Sequence, residues 1–130
     1  MPGFKFFNSS ETSLPVGPYS TGVVLNNGFI FLSGQISLNK NGELIGKDVK
    51  EQTENVLNNI KTILTEKGYS ICDIIKCTVY LKNMSDFKEM NEVYENFFNG
   101  HKPVRTTIEV SNLPKNALVE IEVVCFRKEV

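Results

Sequence analysis

With 130 residues, 41% of them apolar and 22% charged, the chain has the size and composition of one ordinary globular domain, residues 1–130, around a buried core. A formal net charge of −1 and a pI near 5.9 announce neither nucleic acid nor an anionic membrane surface. No apolar run approaches the ~20 residues that span a bilayer, and the opening MPGFKFFNSS has no apolar signal core, so a cytoplasmic protein is expected.

Phe4 to Phe7 reads as a short first strand. Leu14-Pro15-Val16-Gly17-Pro18 is a cluster of breakers, hence loop or extended chain. Thr21 to Leu25 and Phe29 to Gly34 are apolar runs joined by Asn26-Asn27-Gly28, and Asn-Gly between such runs signals a hairpin. Asn39-Lys40-Asn41-Gly42 is a further turn. From Asp48 to Lys67 the period becomes helical. Val49, Thr53, Val56, Leu57, Ile60, Ile63 and Leu64 form one stripe, and Gly68 is placed to end the helix in the left-handed conformation. Ile74 to Leu81 is a strand by its β-branched content. Asp86 with Glu89 resembles a capping arrangement for a second helix to Phe98, whose apolar stripe is Phe87, Met90, Tyr94, Phe97 and Phe98. Two strands, Val104 to Val110 and Leu118 to Arg127, close the chain.

The order β-β-β-α-β-α-β-β predicts an α+β fold in which two helices cover one face of a six-stranded sheet. The second face is then left to solvent or to another chain. In Phe29-Ile30-Phe31-Leu32 both alternating faces are apolar, which an oligomer burying the second face explains.

Little of the usual catalytic equipment is present. Cys72, Cys77 and Cys125 are odd in number and form no CxxC pair, which argues against a disulfide framework and a Cys-rich zinc site. Cys77 and Cys125 alternate with apolar neighbours as buried thiols do. His101 is the only histidine and lies in the turn-like NGHKP, so multi-His metal sites are excluded.

Arg105 stands inside an apolar strand pattern, where a guanidinium that cannot lose its charge needs water, a carboxylate or a ligand. Alternation puts Arg105, Thr107 and Glu109 on one face of their strand, and Glu120 with Glu122 on one face of the next. If these strands pair as a hairpin across Ser111 to Asn116, the groups share a surface, as cross-strand charge pairs or as a site. Asn91 lies on the apolar stripe of its helix, where its amide either caps a loop or orients a site residue. Tyr19 follows the rigid Gly17-Pro18, which either packs its ring or aims it. Ser33-Gly34-Gln35 ends a strand, and Gly34 permits close backbone approach there.

Taken together, these residues resemble the RidA family (YjgF-like, or L-PSP) of reactive imine deaminases. The resemblance runs from Gly17-Pro18-Tyr19-Ser20 through Ser33-Gly34-Gln35-Ile36, Gln52 to Ile60, and Asp86-Phe87 through Asn91 to Tyr94. It ends in Pro103-Val104-Arg105-Thr106-Thr107, Leu113-Pro114-Lys115 and Val119-Glu120-Ile121-Glu122, whose combination in that order is its specific part. The resemblance implies a chorismate-mutase-like mixed sheet and a homotrimer with sites in clefts between subunits. It further implies that Arg105 binds a substrate carboxylate, that Glu120 activates water, and that Tyr19, Ser33, Gly34, Asn91 and Thr107 line or support the pocket. The implied reaction is hydrolysis of 2-imino acids, tautomers of 2-aminoacrylate-type enamines, to 2-keto acids and ammonia, with no cofactor or metal. Two departures stand out: Thr106-Thr107 replaces the frequent Ser-Cys, and Thr21-Gly22 replaces Gln-Ala after GPYS. RNA cleavage or translation inhibition, described for some family members, is the alternative; a non-catalytic ligand-binding trimer is a third reading.

Overall fold

The computed structural model describes residues 3–128. In chain order it contains β1 (Phe4–Phe7), β2 (Gly22–Leu25), β3 (Phe29–Leu32), α1 (Val49–Glu66), β4 (Ile74–Leu81), α2 (Phe87–Phe98), β5 (Val104–Glu109) and β6 (Val119–Phe126). The strands form one mixed sheet in the order β1-β2-β3-β6-β4-β5. Only β4 and β5 run parallel, joined by α2. Every element of the sequence reading is present, with ends that differ by a residue or two.

Local chemistry explains most of the boundaries. Asp48 caps α1 by accepting the Glu51 N–H at 2.9 Å, and Gly68 follows the helix with φ +78°. The expected Asp86 cap does not form. Asp86 is itself the last residue of a short 3₁₀ turn, Met84–Asp86, and has right-handed helical backbone angles, so its carboxylate reaches no helix N–H. Glu109 instead accepts the Met84 N–H at 2.7 Å. At the other end of α2, Asn99 takes the left-handed conformation at φ 46°.

Both helices lie on the same side of the sheet. Val56, Leu57, Ile60, Ile63 and Leu64 of α1 and Met90, Tyr94 and Phe98 of α2 share one cluster with Ile30, Cys77, Val79, Ile121 and Val123. Cys77 and Cys125 are fully buried, free thiols within it. A smaller cluster of Ile36, Leu38, Leu113 and Ala117 holds the loops beside β6. It shows what the Leu113-Pro114-Lys115 turn does structurally: Leu113 and Ala117 are plugs, and Lys115 Nζ bonds the Gly42 carbonyl at 3.0 Å.

The opposite sheet face carries no helix. Phe6 is 62% exposed and Val104 68%, with Phe4, Phe31 and Ile108 also open to solvent. Of the two apolar sides of β3, Ile30 and Leu32 are therefore buried in the core, whereas Phe31 on the outer side is covered by no described helix.

Candidate functional site

The hairpin considered for Arg105 and Glu120 does not exist, because β4 lies between their strands. Arg105 pairs with Cys77 and Thr107 with Val79 on one side of β4. On its other side, Val123 pairs with Cys77 and Glu120 with Tyr80. Laterally paired residues share a face, so Arg105 and Thr107 project to the helix side with Cys77. Glu120 and Glu122 project to the opposite side with Tyr80 and Thr78. A connection longer than a tight turn leaves room for an intervening strand, and in the resulting register Arg105 and Glu120 stand on opposite sides of the sheet. Within one chain they form two half-sites.

The Glu120 half-site is shaped by an irregularity in β3. Phe31 pairs with Val124, but the next bridge to β6 is Gln35 with Ile121, so the ladder slips by one residue across Ser33-Gly34. Such a bulge re-aims the chain. Gly34 then faces Glu120 so closely that a Cβ on it would stand 2.1 Å from the Glu120 carboxylate oxygen. Ser33 is fixed by donating its hydroxyl to the Ser20 carbonyl at 2.7 Å. Tyr19 folds its ring back over Gly17, with its N–H on the Gly17 carbonyl at 2.9 Å. Glu120, Gly34 and Tyr19 border a small cavity of about 40 Å³, closed by the Thr12–Val16 segment and Pro114. Tyr19 and Ser33 also border a neighbouring hollow over β2 and β3. Burial raises the Glu120 carboxyl above its ordinary range, and the adjacent Glu122 charge adds to the shift. Glu122 itself accepts the Tyr80 hydroxyl, which pushes that phenol up to about 12.

The Arg105 half-site lies between β5 and α2. Asn91, Tyr94, His101 and Arg105 line a hollow of about 290 Å³. No described residue gives the Arg105 guanidinium a hydrogen bond or ion pair. Its Cζ lies instead 4.7 Å from the centre of the Tyr94 ring and 5.6 Å from that of Phe87. Three buried polar atoms on this side have no partner among the described residues: Asn91 Oδ1, Tyr94 Oη and Thr107 Oγ1. The Asn91 carbonyl therefore caps no described loop. His101 has a structural tie, its Nε2 lying 2.7 Å from the Ile74 carbonyl.

The structure thus brings Tyr19, Ser33, Gly34 and Glu120 together, and Arg105 and Asn91 around one hollow, with Thr107 on the strand face of Arg105 but outside that lining, without joining the groups. Sequence reasoning missed Tyr94 and Phe87 beneath Arg105. Their spacing on the α2 stripe read only as core. The Thr12–Val16 wall beside Glu120 was equally hidden, because breakers mark a loop without saying what it covers. Among the described residues no three of His, Cys, Asp or Glu group as metal ligands do, and no helix is long and apolar enough to cross a membrane.

A sequence profile described as Endoribonuclease L-PSP matches residues 10–126. A RutC family protein of Pyrococcus horikoshii is 50% identical over 115 residues, covering 88% of this chain and 90% of its own. The YjgF gene product of Escherichia coli superimposes with a TM-score of 0.87 at 38% identity, covering 95% of this chain and 99% of that one. TdcF of E. coli, solved with bound serine, gives 0.87 at 37% identity with the same coverage. An α+β fold with a six-stranded mixed sheet and two helices, shared with these solved structures, defines the class. The chain belongs to the RidA/L-PSP family.

Proposed function

We propose that the protein hydrolyses reactive 2-imino acids to 2-keto acids and ammonia, at sites completed between copies of the chain in a homotrimer. The observation that carries this reading is the separation of two complementary halves. One holds a guanidinium with no anion beside it among the described residues, the other a half-buried carboxylate with no described cation. The bare apolar sheet face gives a second copy a surface to cover. Arg105 stands on β5, the edge strand, within reach of a neighbour docked there. TdcF, a relative of the same fold, binds serine, whose carboxylate and α-nitrogen are those of a 2-imino acid.

The chemistry needs little more than these groups. Arg105 grips the substrate carboxylate with two parallel N–H bonds and fixes C2 beside a water held by Glu120 of the adjoining copy. As the water oxygen bonds to C2 of the protonated imine, the C=N π pair moves to nitrogen and Glu120 takes the water's proton. Glu120 returns that proton to nitrogen in the tetrahedral adduct. The C–N bond then breaks with its electron pair on ammonia, which takes up the hydroxyl proton as the keto group forms. A carboxylate held above its ordinary pKa is the better base near neutrality, and assistance of about 10²–10⁴-fold is enough for a substrate this electrophilic. Asn91, which lines the hollow with Arg105, and Thr107, two residues along the same strand face, carry the unclaimed polar atoms available to the imine nitrogen and the water.

The test is ammonia and keto-acid release from freshly generated 2-imino acids. Purified protein is expected to accelerate it and Arg105→Ala to lower kcat/KM by roughly 10²–10³-fold. Full activity in Arg105→Ala would sink the mechanism. RNA cleavage with steep salt dependence, lost in the same variant, would install the nuclease reading instead. Binding of a 2-keto acid without imine turnover would leave a ligand-binding trimer.

A further inference from the structure

We infer that Tyr94, assisted by Phe87, is the positioning residue of the carboxylate site, an aromatic platform that holds the Arg105 guanidinium while leaving its donor fork unclaimed. This rests on the proposal that Arg105 anchors the substrate carboxylate.

An arginine on an edge strand, with no ion pair or hydrogen bond to a described residue, would sample many rotamers and forfeit on each binding event the order it lacks. Arg105 is not in that position. Both rings lie within the ~6 Å over which a cation is attracted to an aromatic face, at 4.7 and 5.6 Å from Cζ. A ring consumes none of the five guanidinium N–H donors. A carboxylate partner would consume two, and substrate would have to displace it. The platform is rigid from below: Tyr94 is 9% exposed and packs against the Phe98 ring at 4.7 Å.

The platform also has to stay neutral, since a phenolate would compete with substrate for the cation. Burial keeps the Tyr94 phenol protonated, above its ordinary range, and the Cys77 thiol beside it pushes the same way. The hydroxyl lies beside the Cys77 thiol and makes no hydrogen bond to Arg105. What holds Arg105 is therefore the face of the ring, and the hydroxyl is dispensable to that task.

The experiment measures 2-oxobutanoate affinity by NMR titration, alongside imine kinetics, in Tyr94→Phe, Tyr94→Leu and Phe87→Leu. Tyr94→Phe keeps the ring and should stay within about twofold of wild type. Tyr94→Leu should weaken binding and raise KM by roughly 3–30-fold with kcat little changed. Phe87→Leu, at a 39% exposed position that does not support the core, should move the same way by less. In an Arg105→Gln background, Tyr94→Leu should cost nothing further, because the platform acts only through the guanidinium. An equal loss in both backgrounds, or an unchanged affinity in Tyr94→Leu, would overturn the assignment. If wild type binds the keto acid but turns over no imine, only the hydrolytic reading falls. If it binds no carboxylate at all, both fall.

Discussion

The two half-sites are made of different materials. Around Glu120 the fit is set by main chain: a slipped ladder and a glycine whose missing side chain is the space the carboxylate occupies. Around Arg105 it is set by side chains, two rings under a cation and polar atoms left without partners. The first kind of site cannot absorb even one methyl group without moving its carboxylate, whereas the platform of the second should tolerate Tyr94→Phe, which keeps the ring under the cation. The proposed base and the proposed anchor are thus exposed to opposite kinds of mutation.

The sharpest break in this comparison is Glu120→Gln, which should lower kcat roughly 10²–10⁴-fold in the imine assay. The same change should raise Tm at pH 7. A carboxyl whose folded pKa lies above its unfolded value contributes its full stability below the ordinary 4.5 and loses it as pH rises through the folded value. Glutamine has no such loss, so its advantage should vanish near pH 3. A Tm unchanged at both pH values would show that Glu120 is not held above its ordinary range.

Arg105→Ala should cost roughly 10²–10³-fold in kcat/KM, the scale for truncating a buried charged contact. It also asks whether the halves belong to different chains. Co-refolding Arg105→Ala with Glu120→Gln subunits at equal ratio should restore about a quarter of wild-type turnover, since one site in four regains both groups. Absence of any recovery would mean that the halves never meet across an interface. Gly34→Ala comes next, at roughly 10–100-fold in kcat, because its Cβ must displace the Glu120 carboxylate while leaving Arg105 untouched. Smallest is Glu122→Gln. Without the neighbouring charge, the acid limb of the rate profile should move to lower pH, and the Tyr80 phenol should titrate below about 12 in ultraviolet absorbance. An unmoved limb would assign the Glu120 shift to burial alone.

Much of this architecture is legible in the sequence, because period and punctuation agree: the Val49 to Leu64 stripe, Gly68 after it, and Asn-Gly between β2 and β3. The Asp86 cap failed because a preceding 3₁₀ turn, which no local pattern marks, had already set its backbone. The placement of Arg105 against Glu120 failed for a deeper reason. Alternation gives each strand two faces but says nothing about which strand lies next to which, and the insertion of β4 between β5 and β6 is a property of the whole sheet. Tyr94 was visible as an apolar helix residue; that its ring meets a cation depended on the same unreadable pairing.

The parallel crossover also fixes the order in which the parts come together. Arg105 and its rings all lie within the continuous run β4–α2–β5, whereas Glu120 meets Gly34 and Tyr19 only when distant stretches of chain close on β6. Closing the shorter loops first is the entropically cheaper route. During refolding Arg105 and its rings should therefore be in place while Glu120 is still mobile. Pulsed hydrogen exchange should accordingly protect the β4–β5 ladder before the Gln35 amide that bonds Ile121 at 2.8 Å. On the proposed mechanism, a chain caught midway would hold carboxylates it has no means to process.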